Sequence, residues 1–176
     1  MRFVPLGVPG AYLVEIEPVA DARGAFARTF CAREFGERGL ATTMVQTSLS
    51  LNARRGTLRG LHWQAAPHGE AKLVRCVRGH IYDVAVDVRR DSHAFRQHVA
   101  VELSAEARNA IYFPPGVAHG FLTLEDDCEV HYAMSAFHAP EAARGARYDD
   151  PAFGVVWPEP VTVVADRDLA WRPFEI

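Results

Sequence analysis

The chain has 176 residues, of which 49% are hydrophobic and 23% are charged, and its formal net charge is −3. These values suit a single domain over residues 1–176 that buries a substantial apolar core. They exclude the strongly basic surface that general nucleic-acid binding requires, so any phosphate binding must be local to a pocket.

The cysteines and the apolar segments indicate where the protein works. Cys31, Cys76 and Cys128 are widely spaced and show neither a zinc-ligand spacing nor a disulfide framework, so we expect three reduced thiols. The amino terminus lacks a basic region followed by a long apolar core, and no apolar stretch is long enough to cross a bilayer. We therefore predict a cytoplasmic protein with no membrane partner.

Apolar and polar residues alternate along most of the chain, and this period of two indicates β-strands. The predicted strands cover residues 11–16, 44–51, 72–77, 81–88, 98–103, 110–113, 120–124, 129–136 and 161–164. Gly79, which can adopt a positive φ, predicts a hairpin turn over residues 78–80 between two of these strands.

Helices are expected to be few and short. Residues 31–40 are the best helix candidate, with Gly39 near the end, and a capped helical turn is predicted to start at Ser104. The tail over residues 151–176 is rich in proline, which predicts an irregular strap around one short strand.

Two motifs carry the strongest functional signal. Residues 56–64 read Gly-Thr-Leu-Arg-Gly-Leu-His-Trp-Gln, and residues 114–121 read Pro-Pro-Gly-Val-Ala-His-Gly-Phe. Both resemble cupin motifs, in which a strand histidine and a histidine after a Pro-x-Gly turn face one cavity. With many short strands, this resemblance implies an all-β fold, a cupin-type double-stranded β-helix (jelly roll) with a few short helices.

The metal-ligand set of a typical cupin is incomplete in this chain. Residues two apart on a strand share a face, so His62 and Gln64 should point into one cavity, with Gln64 where cupins carry a second histidine. Glu70 stands near the usual carboxylate position, and His119 matches the last histidine. Because an amide is a poor substitute for imidazole at a transition metal, we predict no metal site.

Several cations are expected to converge on this cavity. Arg59 precedes His62 by three residues, Lys72 opens the next strand, and His119 follows the rigid turn. Burying like charges together is costly unless an anionic guest compensates them. The pattern therefore predicts an anionic ligand, most simply a phosphate.

Further motifs follow in an order that identifies a family. The chain resembles the nucleotide-sugar 3,5-epimerases of the rhamnose pathway, for which dTDP-4-dehydrorhamnose 3,5-epimerase is the reference activity. The resemblance runs from about Tyr12 to Phe174. It rests on the motifs 21–26, 59–64, 72–75, 83–87 and 115–121 and on Gln46, Tyr132 and the region of Asp168.

The resemblance implies proton chemistry beside a ketone at sugar C4, which acidifies the hydrogens on C3 and C5. His62 matches the general base, and Asp168 matches the carboxylate that orients it. Tyr132 matches the acid on the opposite face, and Lys72 matches the cation that stabilises the enolate oxygen. No cofactor is implied.

The resemblance also implies how the nucleotide is held. Arg59 would contact the diphosphate with Gln46 nearby, and His119 would line the sugar pocket. Arg23 and Phe26 would reach the nucleotide from a neighbouring subunit, because an arginine fork suits phosphate and an aromatic face suits a base. A homodimer with shared sites is therefore expected.

Some positions depart from the family pattern. Arg28 and Ala143 stand where Glu is common, and Ser48 stands where Asn is common, all at or near nucleotide contacts. Phe137-His138 replaces a frequent Tyr-Tyr pair close to the sugar, which leaves open whether C3, C5 or both are inverted. Arg167 replaces Lys as a substrate-binding cation.

Taken one at a time, the site residues have ordinary structural explanations. His62 could be a hydrogen-bonded strand residue, Tyr132 a core aromatic, Lys72 a surface cation and Asp168 part of a solvated charged run. Likewise, Arg23 and Phe26 could belong to a turn and to the core, and the turn before His119 could merely close the barrel.

Other functions compatible with the fold stay open from sequence. They are a single-centre epimerase, an enzyme for a GDP- or CDP-linked sugar, a 3,4-ketoisomerase, a metal-dependent cupin enzyme and a non-catalytic sugar-nucleotide binding protein.

Overall fold

The computed structural model describes residues 1–175 and is built mainly of β-strands. The strands are β1 Arg2–Pro5, β2 Tyr12–Glu15, β3 Val19–Asp21, β4 Gly24–Phe26, β5 Gln46–Asn52, β6 Thr57–Gln64, β7 Lys72–Arg78, β8 His80–Asp87, β9 His98–Ser104, β10 Ala110–Phe113, β11 Val117–Thr123, β12 Cys128–Met134, β13 Ala143–Gly145 and β14 Val163–Val164. The helices are α1 Ala32–Gly36 and α2 Asp166–Leu169, with a 3₁₀ turn at Pro140–Ala142.

The larger strands form two antiparallel sheets that share a core. The first sheet has the order β1-β2-β10-β7-β12-β5, and the second has the order β13-β6-β11-β8-β9 with β14 parallel to β6. A buried cluster joins Val74 and Phe113 of the first sheet to Ala85 and Phe121 of the second. This arrangement confirms the all-β interpretation.

The predicted strands are confirmed with boundary shifts of a few residues. The predicted hairpin at 78–80 is wrong, because β7 belongs to the first sheet and β8 to the second. Gly79 does have a positive φ of 78°, but it turns the chain from one sheet to the other. Local sequence shows that the chain turns here, whereas the choice of sheet depends on distant strands.

The helical segments are shorter than the sequence predicts. The helix expected over 31–40 is limited to Ala32–Gly36, which buries Phe35, and a turn through Gly39 follows it. At Ser104 the chain makes a single turn, in which the Ala107 amide donates to the Ser104 hydroxyl at 3.0 Å. Over residues 1–175, neither helix is long and apolar enough to cross a membrane.

The tail contains one element that the sequence did not predict. The short strand expected near 161–164 is confirmed as β14, but the helix α2 follows it. A four-residue helix is too short to show a helical period, so its charged residues look like solvated surface. Of the predicted strap over 151–176, Ile176 lies outside the described residues.

An irregularity in β6 determines which side chains enter the interior. His62 pairs with His119 and Arg59 pairs with Phe121, so Gly60 and Leu61 together oppose the single residue Gly120. This is a β-bulge, which shifts the alternation of the strand by one residue. Arg59 and His62, three residues apart, consequently point to the same side.

The bulge requires glycine at position 60, and this gives a stability prediction. Gly60 has φ +130°, and a Cβ there would lie 2.5 Å from the Gly120 Cα and 2.7 Å from the His119 carbonyl oxygen. Gly60→Ala should lower the free energy of unfolding by more than about 4 kcal/mol, measured by urea denaturation. Gly24→Ala is the matched control.

The control separates backbone strain from steric overlap. Gly24 has a similar φ of +129°, but no atom of the described residues lies within 4 Å of the place that a Cβ would occupy there. Its replacement should cost about 1–3 kcal/mol. Equal losses at the two positions would contradict the close approach at the bulge.

Candidate active site

A cavity of about 280 Å³ is lined by strands of both sheets. It gathers most of the residues predicted from the sequence. Those lining it are Gln46, Ser48, Arg59, His62, Lys72, His119, Tyr132 and Arg167, joined by Ser50, Glu70, Met134 and His138.

His62 and Asp168 form a hydrogen-bonded pair at one wall of this cavity. The His62 Nε2 lies 2.7 Å from Asp168 Oδ1, and Asp168 is only 2% exposed. The other carboxylate oxygen of Asp168, Oδ2, accepts a hydrogen bond from the Gly60 amide at 3.4 Å. With an ionised Asp168, Nε2 carries the proton, so Nδ1 is left with a free lone pair.

The pKa of Asp168 indicates that this carboxylate stays ionised. Burial alone would raise its pKa, but the hydrogen bond and charge of His62, the Gly60 amide and the Arg167 charge together lower it below the usual value. Asp168 is buried, whereas its charged neighbours Asp166 and Arg167 are exposed. It serves as a buried acceptor for the imidazole.

A second histidine–carboxylate pair lies deeper in the barrel. His119 Nε2 is 2.8 Å from Asp83 Oδ2, and both side chains are buried. Burial raises the pKa of Asp83, while His119 and Lys72 act in the opposite direction. In residues 1–175 the Asp83 Oδ1 atom has no hydrogen-bond partner. Asp83 is not among the predicted site residues, although a charge inside an apolar strand indicates a buried partner.

Tyr132 faces His62 from the other sheet, since it lies on β12 whereas His62 lies on β6. Its ring packs edge-on against His119 with centroids 5.8 Å apart. Burial raises the pKa of the Tyr132 phenol, and the charge of Asp83 adds to this effect, whereas Arg59 opposes it. The phenol is therefore protonated at neutral pH.

Lys72 is a cavity residue with a carboxylate partner. Its Nζ lies 3.1 Å from Glu70 Oε1, and the two side chains are 12% and 10% exposed. This contradicts the surface-lysine alternative. It also explains Glu70, the residue near the cupin carboxylate position, as the counter-ion of Lys72.

Arg59 is held in place by contacts to the end of β5. Its Nε donates to Asn52 Oδ1 at 2.7 Å, and its Nη2 donates to the Leu51 carbonyl at 3.3 Å. A guanidinium has five N–H donors, so others stay available for a ligand. Arg167 is largely exposed at the cavity, with Nε 3.7 Å from Asp168 Oδ1.

The family model described as dTDP-4-dehydrorhamnose 3,5-epimerase matches residues 5–175. The chain belongs to this family. A relative named dTDP-4-dehydrorhamnose 3,5-epimerase, from Methanothermobacter thermautotrophicus, is 41% identical over 98% of this chain and 94% of its own length. Another from Streptomyces niveus, named dTDP-4-dehydrorhamnose 3-epimerase, is 34% identical over 96% of this chain and 81% of its own length.

Solved structures agree with this assignment. The crystal structure of dTDP-4-dehydrorhamnose 3,5-epimerase from Elizabethkingia anophelis superposes with a TM-score of 0.96 at 33% identity, covering 99% of this chain and 96% of the other. The likeness confirms the cupin-type jelly roll, and the protein is an isomerase of the epimerase type.

In the single epimerase chain, Arg23 and Phe26 are not brought to the cavity. Both lie on the β3–β4 hairpin, where Arg23 pairs with Asp21 and is largely exposed. Phe26 is 81% exposed, so it is not the core residue of the structural alternative. Their predicted role requires a second subunit.

Gln64 supports the loop that follows β12. Its Oε1 accepts from the Ala139 amide at 2.6 Å, and its Nε2 donates to the carbonyls of His68 and Phe137. The amide is thus saturated by backbone groups. At the position where cupins carry a second histidine, the epimerase has a structural residue.

The departures from the family pattern differ in how close they lie to the cavity. The His138 amide donates to Gln46 Oε1 at 3.0 Å, and His138 lines the cavity. Phe137 is 69% exposed and does not line it. Ala143 borders a recess beside His62, whereas Arg28 pairs with Glu34 outside the cavity.

Proposed function

We propose that the protein inverts C3 and C5 of dTDP-4-dehydro-6-deoxy-D-glucose to give dTDP-4-dehydro-L-rhamnose, with residues 1–176 acting as one catalytic domain. One observation carries the proposal. A histidine with a buried carboxylate partner faces a protonated phenol across a cavity, each on a different sheet. Inversion needs a proton to leave one face of a carbon and another to arrive at the opposite face.

His62 is the base in this scheme. Its Nδ1 takes the proton from the carbon beside the C4 ketone while Nε2 stays bonded to Asp168. The ionised carboxylate stabilises the imidazolium that forms and keeps the ring in position.

Lys72 stabilises the enolate. When the C–H bond breaks, its electron pair moves toward the C4 oxygen, where negative charge develops. A cationic donor already fixed by Glu70 needs no reorganisation at that moment, and this is why such electrostatic stabilisation is effective.

Tyr132 completes the inversion as the acid on the other face. It donates its phenolic proton to the enolate carbon, and solvent exchange then restores both groups. The buried pair of His119 and Asp83 supports the phenol from below, because His119 packs against the Tyr132 ring.

The cations at the mouth of the cavity suit a diphosphate. Arg59 is oriented by Asn52 and Leu51 and keeps donors for phosphate oxygens, and Arg167 adds a second guanidinium. Gln46 and Ser48 border the same opening on β5. The polar groups for a charged nucleotide thus line the same cavity as the proton-transfer groups.

A homodimer with shared sites would use the exposed apolar groups of this chain. Val19 and Phe26 are 76% and 81% exposed on the hairpin. Leu49 and Leu51 are exposed on β5, an edge strand of the first sheet. An apolar hairpin and an apolar sheet edge are costly in water and typical of surfaces that a partner covers.

Subunit complementation tests whether the sites are shared. One chain carries Arg23→Ala and Phe26→Ala, and the other carries His62→Asn. If Arg23 and Phe26 serve the partner's cavity, each mixed dimer has one intact site, so co-expression should restore about a quarter of wild-type activity. No restoration in purified mixed dimers would contradict shared sites.

A single-centre epimerase is the second candidate. It is favoured by His138, which lines the cavity where the family often has tyrosine. A cytoplasmic location stays a prediction from the sequence.

Product analysis tests the proposed function. The purified protein is incubated with dTDP-4-dehydro-6-deoxy-D-glucose, and proton NMR follows the ring couplings of the product. The L-rhamno configuration is expected. Inversion at C3 alone would establish the second candidate, and unchanged substrate at stoichiometric protein would contradict both.

A further inference from the structure

Asp168 lies on the helix α2, which is too short to be stable without contacts to the rest of the protein. The helix α2 has four residues, and Ala165 at its N-cap provides no side-chain hydrogen bond. A helix of one turn is unstable alone, so contacts on either side must fix it. On its N-terminal side, β14 provides one anchor by pairing with Thr57 and Leu58 of β6.

Trp171 provides the contact on the C-terminal side. It follows Asp168 by three residues, and its indole lies directly on Gly145 of β13. A methyl group at Gly145 would overlap the ring at Cε2, Nε1 and Cζ2, so the indole would have to shift to admit any side chain there. Gly145 is the cross-strand partner of His62. The indole thus packs on the strand residue next to the base.

Trp171 lines two neighbouring recesses. One contains His62 and Asp168, and the other is lined by Arg172, with Trp63 bordering both. The Trp171 Nε1 is buried and has no hydrogen-bond partner within residues 1–175. An unpaired buried donor is unfavourable, so packing and not hydrogen bonding keeps the ring here.

We propose that Trp171 is a positioning residue that holds α2 against β6 and β13, so that Asp168 stays within hydrogen-bond distance of His62. The kinetic part of this inference rests on the proposed function. The inferred contact chain runs from the indole through Gly145 and α2 to the dyad. Removal of the indole lets α2 move away with Asp168 and Arg167, while Arg59 on β6 and Lys72 on β7 stay in the cavity.

The kinetic test uses Trp171→Ala and Trp171→Phe. Trp171→Ala should lower kcat about 10- to 100-fold, and any rise in KM should be smaller than this loss, because displacement of Asp168 by an ångström impairs proton transfer, whereas Arg59 still binds phosphate. Trp171→Phe keeps a ring on Gly145 and should recover most of kcat. A rise in KM with an unchanged kcat would overturn the proposal, and so would a Trp171→Phe variant whose kcat is as low as that of Trp171→Ala.

A double-mutant cycle separates positioning from general destabilisation. In an Asp168→Asn background, Trp171→Ala should have little further effect on kcat, because both changes act through one contact. Trp157→Ala is the matched control, since Trp157 packs against Tyr82 and Tyr148 and lines neither the cavity nor the recess beside His62. Its effect should be additive with Asp168→Asn. Additivity for Trp171 would overturn the proposal.

A spectroscopic readout does not depend on activity. The His62 Nε2 proton shared with Asp168 should give a downfield NMR resonance, assigned by its absence in His62→Asn. This resonance should weaken or vanish in folded Trp171→Ala and persist in Trp157→Ala. If Trp171→Ala does not fold, Trp171→Leu takes its place. Persistence in the Trp171 variant would overturn the proposal.

The outcomes distinguish the two proposals. An inactive wild type whose resonance responds to Trp171 would leave the positioning role and contradict the proposed reaction. An active wild type in which the effects of Trp171→Ala and Asp168→Asn are additive would support the proposed reaction and contradict the positioning role.

Discussion

His62→Asn should abolish epimerisation at both centres and reduce solvent exchange at C3 and C5 by about 10²- to 10⁴-fold, the range typical of a general base. Asparagine is polar and smaller than histidine, so it fits at the cavity wall without steric overlap, but no group of suitable basicity then faces the carbon. Proton NMR of the substrate in deuterated buffer measures the loss.

His68→Asn is the matched control for this change. His68 is exposed and lies 3.8 Å from Glu141, outside the cavity. With the His68→Asn variant, the exchange rates at C3 and C5 should stay within about twofold of wild type, since surface replacements far from a site have small effects. Comparable exchange in His62→Asn and wild type would show that another group is the base.

Tyr132→Phe should separate exchange from inversion. His62 can still remove a proton and return one to the same face, so solvent deuterium should enter the substrate with its configuration retained. Formation of inverted product should fall by about 10²-fold or more because no acid serves the other face. The ratio of deuterated substrate to inverted product, read by NMR, is the measured quantity.

Tyr112→Phe provides the comparison for the loss of a buried phenol. Tyr112 lies on β10, in the same sheet as Tyr132. Its hydroxyl accepts a hydrogen bond from the Ala41 amide at 3.0 Å. Its removal should cost about 1 kcal/mol of stability and leave the exchange-to-inversion ratio unchanged. Inversion at the wild-type rate in Tyr132→Phe would remove Tyr132 from the mechanism.

The fold was predictable where the sequence has a clear period. Alternation located the main strands because half-buried strands repeat every two residues. The passage from β7 to β8 was not predictable, since a short turn around Gly79 looks the same whether the chain pairs or crosses to the other sheet. The helix α2 was too short to produce a pattern.

The site was only partly accessible to sequence reasoning. His62 and His119 stand out in their motifs, whereas Asp168 lies in a charged run that is typical of surface and is nevertheless buried. Asp83 lies in a strand buried along most of its length, where no alternation marks it. Its pairing with His119 depends on register between β8 and β11, which is a property of the folded sheet.

The contact between Trp171 and Gly145 could not be predicted from the sequence. Neither the position of Trp171 after α2 nor the glycine at 145 signals a contact, since the two residues belong to distant segments. Only the packing of the tail on β13 brings them together.

The most direct test of the opposite-face mechanism is deuterium placement in the product. Wild-type protein converts dTDP-4-dehydro-6-deoxy-D-glucose in deuterated buffer, and NMR reads C3 and C5 separately. Each inverted centre should carry solvent deuterium, because the proton taken by His62 is not the one that Tyr132 returns. An inverted centre that keeps the hydrogen of the substrate would contradict the account.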